Sequence, residues 1–192
     1  MRLVRQDYQQ DAVAMAKVLL GMTLCRRLED GTVLRARIVE TEAYFGEEDT
    51  ACHAHKGRTS RTDVMYASGG FAYVYLCYGM HRMLNFVTNG QDIADAVLIR
   101  AILPTHGEEL MLQRTGKPRC VPEITCGPGK VCKALGITME QNGTPLNSDT
   151  LWVEDRNVIV PEEQIIRGPR VGVDYAGEDA LLPWRFQWKR EL

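Results

Sequence analysis

One segment constrains this chain more than any other: Arg35-Ala-Arg-Ile-Val-Glu-Thr-Glu-Ala-Tyr44. Its length and its β-branched centre read as a strand, and a strand sends alternate side chains to opposite faces. On that period Leu34, Ala36, Ile38, Glu40, Glu42 and Tyr44 are predicted to share one face. The face begins apolar and ends in two carboxylates and a phenol. Carboxylates at the apolar end of a strand are costly unless they are paired or used. His53 follows nine residues after Tyr44, inside a basic run. The strand therefore reads as the first wall of an active site.

The surrounding pattern predicts a mixed α+β fold. A helix is expected over 11–20, capped by Asp11 and ended by Gly21. Strands are expected over 22–28 and 33–44 about the turn Glu29-Asp-Gly31. Residues 45–60 are polar and read as a functional loop, and Ser60 is placed to cap a short helix over 61–67. Phe71, Tyr73, Tyr75 and Cys77 alternate with Ala72, Val74 and Leu76 along a strand. Residues 82–88 return, which makes Tyr78-Gly-Met-His81 a hairpin tip, and 96–102 form the next strand. Thr105-His-Gly-Glu108 reads as a capping box for a helix ending near Gly116. Pro128 suits the first position of a helix over 128–135 ended by Gly136. Further strands are expected near 150–154, 157–160, 169–173 and 184–188. With 192 residues and no linker or repeat, one domain over 1–192 is expected. It would be a curved, mostly antiparallel sheet with a protruding β-hairpin and surrounding helices.

Charge and cysteines narrow the class. A formal net charge of −2 argues against strong global attraction to DNA or membranes, but leaves room for local basic patches. The first residues lack a long apolar run, so no signal peptide and no membrane span are expected. That predicts a cytoplasmic protein, nucleoid-associated in a prokaryote. The six cysteines (Cys25, Cys52, Cys77, Cys120, Cys126 and Cys132) contain no Cys-x-x-Cys, so buried free thiols are expected rather than disulfides or a metal. No cofactor is expected.

Arg100 lies in the middle of an apolar strand, with Leu98 and Ile102 expected on its face. A guanidinium there needs a carboxylate or a phosphate, and Glu40 or Glu42 is the candidate. Taken alone this is as readily a structural ion pair as a catalytic one. Tyr66, Tyr73, Tyr75 and Tyr78 read first as core aromatics on a strand, except that Tyr78 and Met80 fall at the hairpin tip. An exposed aromatic and a thioether at a tip suit insertion between base steps. Two basic groups stand out: His53, His55, Lys56, Arg58 and Arg61, and then Arg114, Lys117, Arg119, Lys130 and Lys133. Gly127-Pro-Gly-Lys130 opens a helix whose free N–H groups suit a phosphate, although it lacks Walker A spacing. A solvated helix face explains Lys117, Arg119 and Lys133 as well.

Together these residues resemble a known family, the mammalian-type alkyladenine (3-methyladenine) DNA glycosylases. The matching blocks are Leu19-Leu-Gly21, Arg37-Ile-Val-Glu-Thr-Glu-Ala-Tyr44, Glu48-Asp49 with His53, Tyr73-Val-Tyr75, Tyr78-Gly-Met80 with Asn85, Leu98-Ile-Arg-Ala101, Cys126-Gly-Pro-Gly-Lys-Val-Cys-Lys-Ala-Leu135 and Arg170-Val-Gly-Val173. They run in family order through nearly the whole chain. The resemblance implies a monomeric base-excision-repair enzyme that acts on double-stranded DNA containing damaged purines. It would flip an alkylated or deaminated purine out and hydrolyse the N-glycosidic bond, leaving an abasic site.

By the same resemblance Glu42 is the base that activates water, held with Arg100 and the backbone carbonyl of Val171. Tyr44, His53 and Tyr75 wall the base pocket, and Asn85 excludes the amino group of normal guanine. Tyr78, with Met80, fills the gap in the duplex, while Lys56, Arg58, Arg61, Gly127 and Lys130 hold the DNA backbone. An alkylated purine is cationic and leaves readily, so one base and water suffice, and aromatic walls favour such a ring. A neutral lesion needs more help, and the sequence names no acid for it. Two rival readings stay open, a small-nucleoside hydrolase and a non-catalytic damaged-DNA-binding module.

Overall fold

The structure, a computed structural model, describes residues 1–117 and 127–189. Cys120 and Cys126, Arg119 and the end of the second basic group's loop fall outside the described residues. The chain order is α1 (Ala12–Val18), β1 (Thr23–Arg27), β2 (Val33–Phe45), β3 (Ala72–Cys77), β4 (His81–Val87), β5 (Asp95–His106), α2 (Glu108–Thr115), α3 (Pro128–Leu135), β6 (Leu151–Glu154), β7 (Ile165–Gly168) and β8 (Arg185–Trp188). The strands form one curled antiparallel sheet in the order β3-β4-β5-β2-β1-β6, with β8 on β2 and β7 on β8. The fold class is therefore the α+β arrangement expected.

Strand β2 organises the sheet because it is long enough for three partners. Its first half pairs with β1, residues Glu40 to Glu42 pair with β8, and β5 runs along its other edge. The main core fills one face of the sheet. There Leu34, Ala36, Ile38, Ile99 and Ile102 pack with Met15 and Ala16 of α1, Met111 of α2 and Val131 and Leu135 of α3. The expected caps at Asp11 and Pro128 are present: Asp11 accepts from the Ala14 amide, and Pro128 opens α3. A smaller apolar cluster, including Cys52, Ala54, Met65, Tyr66 and Tyr73, lies on the other side and carries the site.

The structure corrects the single face predicted for β2. Ile38 pairs with Ile102 and Glu40 with Ala101, which leaves Val39 unpaired. Thr41 then pairs with Ile99, which leaves Arg100 unpaired on the partner strand. These two bulges reverse the alternation of both strands, since one extra residue moves every later side chain to the opposite face. Thr41 and Ala43 take over the core face, where Thr41 donates to the Ala16 carbonyl. Glu40, Glu42 and Tyr44 turn away from it. The carboxylates thus never share a face with Ile38, and Arg100 does not share one with Ile102.

Other expectations are also corrected. Ser60 caps nothing: the 3-10 turn Asp63–Tyr66 begins after Thr62. Thr105 lies within β5 and donates to the Arg35 carbonyl, so α2 starts from Gly107 without a side-chain cap. Residues 157–160 are not a strand. Asn157 has a left-handed φ of 57°, and the Val158 carbonyl would lie 2.8 Å from a Cβ at Gly21, which only glycine permits. Residues 169–173 are a loop rather than a strand, because Pro169 has no donor and Gly172 turns at φ 76°. The strand there is β7, four residues earlier. The described cysteines Cys25, Cys52, Cys77 and Cys132 are free thiols, all buried except Cys77.

Candidate active site

A cavity of about 420 Å³ opens on the face that the bulges create. Tyr44, His53, Arg61, Tyr73, Tyr75, Tyr78, Asn85, Arg100, Pro128, Val171 and Tyr175 all line it. Residues far apart in sequence are brought here by β2 and the segment after it that carries His53 and Arg61, the hairpin β3–β4, β5, the start of α3 and the stretch after β7 that carries Val171 and Tyr175.

Glu42 lies just behind the wall and is fully buried. Its Oε1 accepts the Val171 amide at 2.8 Å, and its Oε2 accepts the Tyr44 hydroxyl at 3.0 Å. Arg100 Nη1 donates to Oε2 at 3.4 Å, while Arg100 Nε donates to Glu40 Oε1 at 3.0 Å. Arg185 supplies Glu40 with a second donor at 3.2 Å. Every contact of Glu42 is a donor, which suits the ionised form. Burial nonetheless raises its pKa above the usual carboxylate range, opposed by Arg100, the Val171 amide and Tyr44. Burial thus makes the carboxylate more basic, while its donors favour the charged form. Val171, expected to act through its carbonyl, meets Glu42 through its amide.

That amide is placed by Arg170, whose role the sequence reading missed. Arg170 is buried and forks onto Asp49, with Nη2 2.9 Å from Oδ1 and Nη1 on Oδ2. It also donates to the carbonyls of Ala43 and Asp179, both at 3.0 Å. Its guanidinium lies 4.9 Å from the Tyr44 ring centroid and 5.1 Å from that of Trp184. Asp49 in turn accepts the amides of Phe45 and Ala51. One buried ion pair therefore ties the 169–173 loop to the end of β2. No periodicity points to two residues 121 positions apart.

His53, Tyr73 and Tyr75 form the aromatic wall. The His53 ring packs edge-on to Tyr75 at 4.4 Å between centroids, and its Nδ1 is 3.0 Å from the Tyr73 hydroxyl. Burial, helped by Arg61, lowers the His53 pKa to about 4. The ring is then neutral at pH 7 and does not repel a cationic guest. An NMR titration of the His53 ring is expected to show a midpoint near 4, against about 6.5 for an ordinary histidine. Because the folded value is depressed, this group's share of stability is full above about pH 6.5 and is lost as the pH falls towards 4. A midpoint above 6 would contradict the burial seen here. Asn85 lies beside the wall, with Nδ2 donating to the Tyr73 carbonyl at 3.2 Å.

The hairpin tip stands at the mouth. Tyr78 is 88% exposed, in a left-handed conformation with φ 49°, and Met80 is 67% exposed. By contrast Tyr66 is core, its hydroxyl on Glu47. The basic residues divide by environment. Lys56 is exposed in the turn His53–Lys56. Arg58 is engaged by Asp63 at 2.8 Å and Asp92 at 3.2 Å. Arg61 faces the cavity. The Gly127 amide donates to the Arg100 carbonyl at 2.9 Å, which sets the start of α3 at the rim, and Lys130 is exposed on its first turn.

An aromatic cavity beside a buried carboxylate and guanidinium, with an exposed tyrosine at its mouth, has the chemistry of an enzyme pocket for a flat ring. A family profile described as methylpurine-DNA glycosylase matches residues 6–192. The chain belongs to the methylpurine-DNA glycosylase family. It is 51% identical over 185 residues to a protein of Methanocella arvoryzae, covering 96% of this chain and 90% of that relative. It is 47% identical to one from Chlamydia pneumoniae (92% and 89% covered) and 45% identical to one from Bdellovibrio bacteriovorus (100% and 97% covered). All three are named, provisionally, as 3-methyladenine DNA glycosylases. Among the described residues no helix is long and apolar enough to cross a membrane.

Proposed function

We propose that residues 1–192 act as one monofunctional purine DNA glycosylase domain, a hydrolase of N-glycosyl bonds that works as a monomer on one face of duplex DNA. The observation that carries this reading is Glu42: a buried carboxylate held by three donors directly behind an aromatic cavity. The damaged purine is turned out of the stack into that cavity, between Tyr44 on one side and His53 and Tyr75 on the other. Tyr78 and Met80 fill the space it leaves. Asn85 excludes the amino group of normal guanine.

Water must then reach Glu42. A carboxylate offers about four lone-pair sites, and its three donors leave one of them for water. Arg100 and the Val171 carbonyl fix that water's position. It gives its proton to Glu42 as its oxygen bonds to C1′ of the sugar. The C1′–N9 bond breaks and its electron pair leaves with the base. A cationic alkylated purine leaves as a neutral molecule, so no acid is needed. Tyr44 and Tyr75 stabilise the cationic guest by about 0.5–2 kcal/mol per face. Lys56, Arg58, Lys130 and the Gly127 turn meet the phosphates, and binding weakens as salt rises.

The test is release of free base from alkylated duplex DNA with chelator present. It is paired with the same assay on an alkylated nucleoside, for wild type and Tyr78→Ala. The glycosylase reading expects release from DNA that Tyr78→Ala lowers by roughly tenfold or more, the scale of losing a wedge worth a few kcal/mol. A nucleoside hydrolase would release base from the nucleoside and ignore the change. A damage-binding module would retain lesion DNA and release nothing.

A further inference from the structure

Among the described residues, Arg61 and Arg100 bring positive charge to the cavity wall, and only Arg100 is paired with carboxylates. The Arg61 guanidinium carbon sits 5.3 Å from the Tyr75 ring centroid, at the cavity wall. Its Nη2 lies 3.4 Å from His53 Nε2. A guanidinium has only donors, so Nε2 must be the accepting nitrogen and the proton of the neutral ring sits on Nδ1, towards Tyr73. Arg58, Arg100, Arg170 and Arg185 each hold a carboxylate, whereas among the described residues Arg61 holds none. It lines the cavity instead, with Nη2 turned to His53 of the aromatic wall.

The loop that carries it is built. The Thr59 amide donates to Thr62 Oγ1 at 2.9 Å, the two hydroxyls meet at 3.0 Å, and the Thr62 amide donates to the Thr59 carbonyl at 3.1 Å. Thr62 is buried, so the turn before the 3-10 segment is fixed and Arg61 projects from it.

We infer that Arg61 is a specificity-determining residue that contacts the purine itself, favouring neutral damaged bases over cationic ones. The inference rests on the glycosylase reading above. A neutral purine carries electronegative atoms on its outer edge, and when the C1′–N9 pair leaves with it the base becomes an anion. A fixed guanidinium beside that edge stabilises the developing charge, as oriented donors do for other anions. Arg61 keeps its proton throughout, and the released anion is protonated by solvent. A base already alkylated on its ring is cationic in the ground state and neutral on leaving. For it the same charge opposes binding. The cavity thus contains one feature for each kind of lesion: electron-rich rings for the cation and Arg61 for the neutral base.

The experiment measures single-turnover release of hypoxanthine and of 7-methylguanine from otherwise identical duplexes, for wild type, Arg61→Gln and Arg61→Lys. Melting curves confirm that both variants are folded. In Arg61→Gln hypoxanthine release is expected to fall by at least about tenfold and 7-methylguanine release to rise, the scale of losing one charged donor. Arg61→Lys keeps the charge and is expected to retain more hypoxanthine release than Arg61→Gln. Equal losses on both lesions, with a shallower salt dependence, would make Arg61 a backbone contact and overturn the inference. No change on either lesion, or a wild type that releases 7-methylguanine but not hypoxanthine, would also overturn it. A wild type that releases neither base would instead remove the glycosylase reading beneath it.

Discussion

Glu42→Gln lowers release of alkylated base from duplex DNA by at least about a hundredfold, while lesion binding persists. The loss is large because the amide cannot take a proton from water, and among the described residues no other carboxylate reaches the same place. The protein tolerates the change because the substitution is nearly isosteric. Its carbonyl oxygen still accepts from the Val171 amide, and Arg100 keeps Glu40 at 3.0 Å as its counter-ion. No buried charge is therefore left alone. Glu40 is the control. It holds Arg100 and Arg185 rather than the Tyr44 hydroxyl and the Val171 amide, which go to Glu42, so Glu40→Gln should slow release less. Release that survives Glu42→Gln and fails in Glu40→Gln would exchange the two roles. The pH profile gives the same residue a second test. Its raised pKa places the acid limb of the rate above the ordinary carboxylate value of about 4.3. Activity falls as the pH drops through that limb, because the base must be ionised to act. In Glu42→Gln the limb disappears with the rate.

Much of this site was legible from residue type and spacing. The helix start at Pro128, the hairpin tip at Tyr78 and the pairing of Arg100 with the two glutamates all follow from local chemistry. Strand period alone misplaced the carboxylates. The bulges at Val39 and Arg100 compensate each other, so no insertion, glycine or change of composition betrays them. They are visible only when both strands are seen paired. The physical puzzle was nevertheless in view, since charged groups ending an apolar face demand either a partner or a reversal. The structure supplies both. Residues 169–173 failed for another reason. Val171 and Val173 have strand-like propensity, but their conformation is set by Arg170 reaching Asp49 across the fold, and tertiary contacts override local preference. Arg61 was legible as a basic residue, but its direction was not, because a loop's hydrogen bonds decide where it points.

Arg170→Met destabilises the protein by about 3–5 kcal/mol, because it leaves the Asp49 carboxylate buried without its counter-ion. Both side chains are fully shielded from solvent, so water cannot compensate. For a chain of this size the melting temperature should drop by roughly 6–20 °C. Arg170→Lys does not restore it, since an ammonium cannot fork onto both carboxylate oxygens or lie flat between Tyr44 and Trp184. Stability and catalysis can then be separated by removing both charges. In Arg170→Met with Asp49→Leu no ion is stranded, and much of the lost stability returns. Base release does not return with it. The 169–173 loop has lost its ties to the Ala43 and Asp179 carbonyls, and with them the fixed position of the Val171 amide on Glu42. Melting curves and single-turnover release on the same three proteins make the comparison. If the double variant recovers its rate together with its melting temperature, Arg170 is only a structural brace. If it recovers the melting temperature alone, the ion pair positions the loop that orients the general base.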